Sequence, residues 1–225
     1  MKKRIGLAVA VGLIASALAG SASAVPVLDQ EYDPGAGFPT GTTVLGIDLL
    51  GKEFIQAQTF TVGISGKLAS ISVGMIKGTS LTSTVTGSLT LDLRTLDGVL
   101  PGLPGATLAS KTFTAAEVAD GINFINFDLG AADIIVSAGQ FLSFVLSSDD
   151  FTTDSANYSV RNAGIAPNYT DGIRYGSASN SGTNFVAESG DIRFRPFVNV
   201  PEPGTLAIFG LGLAGLGLMR RRRTA

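Results

Sequence analysis

Val85-Thr86-Gly87-Ser88-Leu89-Thr90-Leu91-Asp92-Leu93-Arg94 is the stretch on which the fold class turns. Laid out as an extended chain, Val85, Gly87, Leu89, Leu91 and Leu93 share one side, and Ser88, Thr90, Asp92 and Arg94 share the other. Period-two alternation of this kind marks an antiparallel strand with one face buried and one wet. The same pattern recurs outward from it. Ile71, Val73 and Met75 alternate with Ser70, Ser72 and Gly74, and Ile125, Phe127 and Leu129 with Asn126 and Asp128. Leu142, Phe144 and Leu146 alternate with Ser143 and Ser147, although Phe141 and Val145 make that segment apolar on both faces. Ile192 and Phe194 alternate with Arg193 and Arg195. Asp97-Gly98, Pro101-Gly102, Pro104-Gly105, Asp120-Gly121, Ala138-Gly139 and Asp171-Gly172 punctuate the strands as turns. Only Ala115-Ala116-Glu117-Val118-Ala119 suggests a helical turn. The pattern predicts an all-β, antiparallel β-sandwich of about nine or ten strands over residues 44–199. Residues 25–43, rich in Pro and Gly, read as a flexible lead-in. Residues 149–190 read as variable loops and shorter strands.

The two ends carry a different message. Met1-Lys2-Lys3-Arg4 is basic, the run from Ile5 to Gly20 is apolar or small, and Ser21-Ala22-Ser23-Ala24 places small residues at Ala22 and Ala24. This is the layout of a signal peptide over residues 1–24, cut by signal peptidase after Ala24. At the other end, Val200-Pro201-Glu202-Pro203 precedes an apolar run from Leu206 to Met219, closed by Arg220, Arg221, Arg222 and Arg223. As a helix, residues 204–219 would reach roughly 24 Å at ~1.5 Å per residue. That is short against a hydrocarbon core of ~30 Å, a gap that snorkelling arginine stems help to close. Four terminal arginines stay cytoplasmic, which leaves the body of the chain outside. Residues 200–225 therefore read as a stop-transfer transmembrane helix with a recognition segment in front. Pro201 and Pro203 keep that segment extended.

This tail resembles the PEP-CTERM sorting signal. The proline-glutamate-proline motif, the Gly-rich apolar helix and the arginine cluster stand in the family's order over about the last 26 residues. The resemblance implies a Gram-negative bacterium, recognition by an exosortase, and association with exopolysaccharide or biofilm material. It also implies a precursor tethered in the inner membrane and delivered to the cell surface or extracellular matrix.

Composition bounds the chemistry of the body. Seven of the 16 basic residues lie in the two ends, so Val25–Pro203 holds nine basic against 18 acidic side chains, a net charge of −9. Such a surface argues against nucleic acid as a partner and is compatible with calcium. There is no cysteine, hence no disulfide and no thiolate metal site. There is no histidine, which excludes Ser-His-Asp and Cys-His catalysis and histidine-ligated zinc within this chain. Tryptophan, the commonest sugar-stacking side chain, is absent too.

Gln58-Thr59-Phe60-Thr61-Val62 and Gly66-Lys67-Leu68-Ala69-Ser70-Ile71 resemble the opening of the choice-of-anchor modules of surface-anchored bacterial proteins. Leu91-Asp92-Leu93-Arg94, residues 104–110 and residues 190–195 fit the same layout. The resemblance implies a jelly-roll sandwich similar to carbohydrate-binding modules, with no activity attached.

Two nucleotide-binding look-alikes fail on context. Gly210-Leu211-Gly212-Leu213-Ala214-Gly215 follows no strand and has no acidic residue downstream, and Gly46–Lys52 is followed by Glu53 where a P-loop needs Ser or Thr. Asp149, Asp150 and Asp154 are candidate calcium ligands, since loop carboxylates supply hard oxygens, but they show no EF-hand spacing. Turn chemistry in an ordinary solvated loop is the favoured account of them. Paired acids also leave open a carboxylate-based polysaccharide-degrading enzyme. Tyr158, Tyr169 and Tyr175 are candidate ligand contacts, as aromatic faces suit sugars, though such tyrosines also pack at strand edges. The expectation is a non-catalytic exported surface protein without an obligate cofactor. The alternative is a carbohydrate-binding module with structural calcium.

Overall fold

The computed structural model describes residues 24–33, 40–78, 84–98, 102–150, 157–163, 169–179 and 184–201. The expected signal peptide (Ala24 excepted), the transmembrane helix, Glu202, Pro203, Arg220–Arg223 and Asp154 lie outside them. Among the described residues no helix is long and apolar enough to cross a membrane. Pro26–Asn199 forms one compact unit.

The chain is all-β and every strand pairing with a defined register is antiparallel. Thirteen strands are described, more than the nine or ten expected. They are β1 (Val25–Leu28), β2 (Thr40–Ile47), β3 (Glu53–Thr61), β4 (Gly66–Lys77), β5 (Leu89–Asp97), β6 (Leu103–Phe113) and β7 (Gly121–Asp128). Then follow β8 (Ile135–Val136), β9 (Phe141–Ser148), β10 (Tyr158–Ala163), β11 (Arg174–Ser179), β12 (Val186–Glu188) and β13 (Phe194–Val200). The expected helical turn is a short 3-10 turn, Ala115–Glu117, capped by Thr114 and Glu117.

The strands make a curled sheet in the order β1-β13-β4-β10-β2-β3-β9-β5-β6. β4 takes β13 and β10 on one edge, β7 and β8 on the other. β2 is the corner: its first part pairs with β10, while Gly46 and Ile47 pair with β3. The curl lays one part of the sheet over the other. Phe194 of β13 meets Phe60 of β3 at 5.8 Å and Phe144 of β9 at 5.5 Å between ring centroids. Phe127 of β7 meets Phe113 of β6 at 5.3 Å. These tilted pairs weld strands that share no hydrogen bonds. β5 shows the pattern read in the sequence, with Leu89, Leu91 and Leu93 fully buried and Thr90, Asp92 and Arg94 half-buried.

The described part of the lead-in carries strand pairings of its own. Residues 25–28 form β1 beside β13, and Tyr32 is buried in an antiparallel bridge to Phe194. Asp29 N–H donates to the Pro196 carbonyl at 2.9 Å. The cause lies far along the chain. Arg193 pairs with Asp33, Arg195 pairs with Glu31, and both guanidinium groups lie over the Phe124 ring.

Candidate functional site

The acidic loop after β9 is built to hold its neighbours. Asp150 is buried, and its Oδ1 accepts from Gly87 N at 2.9 Å, Thr86 N at 3.2 Å and Thr86 Oγ1 at 3.3 Å. Asp149 Oδ1 accepts from Ser88 N. Together the two carboxylates cap the backbone donors that lead into β5. Only glycine fits at position 87, since a Cβ there would lie 2.4 Å from Asp150 N. Among the described residues no group of three or more acidic side chains is arranged to hold a metal ion.

The three candidate tyrosines are not brought together. Tyr158 is fully buried, and its hydroxyl donates to the Gly87 carbonyl at 3.2 Å. Burial, reinforced by the nearby Asp150 charge, pushes that hydroxyl up to about 12. Tyr175 is buried on the outer face of β11 with Ile55, Ala57 and Val145. Tyr169 stands edge-on to Phe194 at 5.2 Å and donates to Gln30 Oε1 at 2.6 Å. Its hydroxyl is also pushed up to about 12, chiefly by burial. Tyr158 and Tyr175 thus offer no ring face to a ligand. Alternation along a strand marks two faces but does not say which one is covered.

The surface does carry a groove, of about 420 Å³, lined by Thr59, Thr61, Phe141, Thr170, Asp171, Gly172 and Ile173. Register puts Thr61 beside Phe141, whose ring is partly exposed. The wall is locked down by Thr59 Oγ1, which accepts from Ile173 N at 2.7 Å, and by Thr61 Oγ1, which donates to the Asp171 carbonyl at 3.0 Å. Gly172 lets this wall close, because a Cβ there would come 1.9 Å from the Thr59 carbonyl oxygen.

A buried polar network centres on Asp191, Gln58 and Arg174, none of which stands out in the sequence. Asp191, 4% exposed, accepts from Gln58 Nε2 at 2.9 Å through Oδ1 and from Tyr169 N at 2.9 Å through Oδ2. Gln58 Oε1 in turn accepts from Ile192 N at 3.0 Å. Burial raises the Asp191 carboxyl above its ordinary value, against the pull of these hydrogen bonds and of Arg174. Arg174, beside Gln58 in register, is buried and pairs with Glu188 at 2.6 Å. It also reaches Thr43 Oγ1 at 3.3 Å, to which Asn162 Nδ2 donates at 2.9 Å. Burial lowers the Arg174 pKa, while Glu188 and Asp191 act to raise it. The network joins β2, β3, β10, β11, β12 and the approach to β13. Its arrangement is that of a structural clamp, with carboxylate and amide groups facing each other rather than an opening.

The recognition segment begins where the body ends. Val200 closes β13 and Pro201 follows it, exposed.

No curated protein matches the chain. Among solved structures, one titled "Structure of infectious bursal disease virus Gt strain" aligns at 11% identity and a TM-score of 0.20. That alignment covers 87% of this chain and 55% of the other, and likeness at this level has no bearing on fold or function. Residues 199–223 match the PEP-CTERM protein-sorting motif. The chain therefore carries a PEP-CTERM sorting signal, the mark of an exported, membrane-anchored precursor processed by an exosortase.

Proposed function

We propose that the protein is a non-catalytic component of the cell surface or extracellular matrix, delivered by an exosortase and in contact with exopolysaccharide. The observation that carries this reading is the sorting motif, which begins at residue 199 inside the last strand of the body. An acidic, histidine-free sandwich joined directly to a sorting signal suits a protein that is placed rather than one that turns over substrate. Supporting it, Asp149, Asp150 and Asp191 accept hydrogen bonds that hold the fold, and Tyr158 and Tyr175 are core residues. In this reading the body is a jelly-roll sandwich of the choice-of-anchor kind. The test is fractionation of a Gram-negative host with and without its exosortase. The protein should reach the surface or matrix only when the exosortase is present, and unchanged delivery in its absence would refute the reading.

A second reading is a carbohydrate-binding module with structural calcium. The groove beside Phe141 favours it, because an exposed ring next to hydroxyl-bearing residues suits a sugar. A glycan array with and without chelator separates the two. Binding to no glycan, together with an unchanged melting temperature on adding Ca²⁺, would sink the second.

A further inference from the structure

We propose that the end of the body from which β13 departs rests on the lipid bilayer through Val27, Leu28, Ile135 and Phe141. The proposal rests on the tail entering the membrane, as the sorting signal implies. β3 runs from Glu53 to Thr61 and a short loop leads into β4 at Gly66, so the end of β3 and the start of β4 share one pole. Lys67 pairs with Asn199 of β13 on one side and with Ile135 of β8 on the other, which puts the departing strand at that pole. Thr61 pairs with Phe141, and Gly63 N–H donates to Asp29 Oδ2 at 3.0 Å, which ties the end of β1 to the same place. Side chains exposed at this pole include Ile135 at 70%, Val27 at 42%, Leu28 at 41% and Phe141 at 37%.

The tether is short. Residues 201–205 separate the end of β13 from the apolar run, and five extended residues reach at most roughly 17 Å. The headgroup layer takes up about 5–8 Å of that, half the difference between the full bilayer and its core. About 10 Å of slack remains, so this pole cannot stand far from the membrane surface. The apolar side chains are spread over β1, β8 and β9, with the Lys67–Asp133 ion pair among them. A protein partner needs a contiguous complementary patch, whereas an interface of headgroups and acyl chains accepts scattered apolar side chains. The net charge of −9 makes apolar contact, not attraction to anionic lipid, the driving term. Leu49 and Leu50, 81% and 79% exposed, lie at the opposite end of β3 and serve as an internal control.

The absence of cysteine allows one probe at a time. Full-length protein carrying Ile135→Cys or Leu49→Cys is labelled with an environment-sensitive fluorophore. Each is reconstituted into phosphatidylethanolamine–phosphatidylcholine vesicles, and flotation is checked first. Lipid-borne quencher should quench the probe at position 135 several-fold more than the probe at position 49, with no loss at high salt. Equal quenching in protein that floats would overturn the docking alone. Protein that fails to float would overturn the membrane reading and the docking with it. Protection at position 135 that rises with the protein-to-lipid ratio would assign the surface to a second copy, and would also overturn the proposal.

Discussion

Asp191→Asn is the most searching single change, because it alters one atom in a site that has no slack. Asp191 presents two acceptors, one to Gln58 Nε2 and one to Tyr169 N. An amide of the same shape keeps one acceptor and turns a donor toward the other partner. Gln58 cannot rotate to compensate, because its Oε1 already serves Ile192 N. One buried donor is therefore left unserved. A hydrogen bond to a charged group is worth ~1.5–3 kcal/mol, and the end of carboxylate burial returns part of that. The expected loss is about 2 kcal/mol at neutral pH, or roughly 6 °C in melting temperature at ~2–4 °C per kcal/mol for a domain of this size. Combining the change with Gln58→Glu exchanges amide and carboxylate across the contact. The carboxylate at position 58 can then serve both Ile192 N and the new amide, but it loses the Gln58 Nε2 bond to the Thr59 carbonyl at 3.1 Å, so only part of the loss should return. Thermal melts followed by far-UV circular dichroism measure both effects. A single variant melting within about 1 °C of the parent, or a double variant showing plain additivity, would refute the reasoning.

The pH dependence supplies an independent check on the same side chain. Burial raises the Asp191 carboxyl, so the folded state keeps its proton to a higher pH than the unfolded chain, where the value is ~3.9. The stability this group contributes is fully present below the unfolded value and is lost as pH rises through the folded one. An amide does not titrate, and every other group cancels between parent and variant. The gap between them should be widest in acid and should narrow toward neutrality. A gap that widens with rising pH would mean that Arg174 holds the carboxylate ionised, so that charge pairing outweighs burial at this site.

Four further outcomes can be measured directly. Phe194→Ala empties the junction of Phe60, Phe144 and Tyr169, and should cost ~3–5 kcal/mol in urea unfolding. Gly172→Ala forces a Cβ against the Thr59 carbonyl and should cost ~1–3 kcal/mol by overpacking, seen as a lowered melting temperature. Asp150→Ala strips the acceptor from Thr86 and Gly87 and should cost about 2–3 kcal/mol. That loss should be the same with added Ca²⁺ or with chelator, and a calcium-dependent loss would reassign Asp150 as a metal ligand. Glu202→Ala should leave the precursor in the inner membrane fraction, and normal surface delivery would contradict the role assigned to the motif.

What could be read from the sequence was whatever depended on neighbours two residues away. Leu89, Leu91 and Leu93 announce β5 because burying one face of a strand needs only its own alternation. β1 and the burial of Tyr32 could not be read this way. Glu31 and Asp33 are polar residues next to a Pro- and Gly-rich stretch, and what holds them is Arg193 and Arg195, at the far end of the chain. Asp191 follows a glycine and looks like a turn residue. It is buried because β3, which carries Gln58, is paired with β11 and packs under β13 through Phe60 and Phe194. The burial of Tyr158 and Tyr175 is illegible in sequence for the same reason: which face of β10 and of β11 is covered depends on strands β2, β3 and β4, remote along the chain. The sorting motif, by contrast, is a contiguous segment recognised by another protein, and recognition in sequence order survives without any knowledge of the fold. Address is encoded locally and role is encoded in contacts, so a chain of this kind shows where it goes before it shows what it touches.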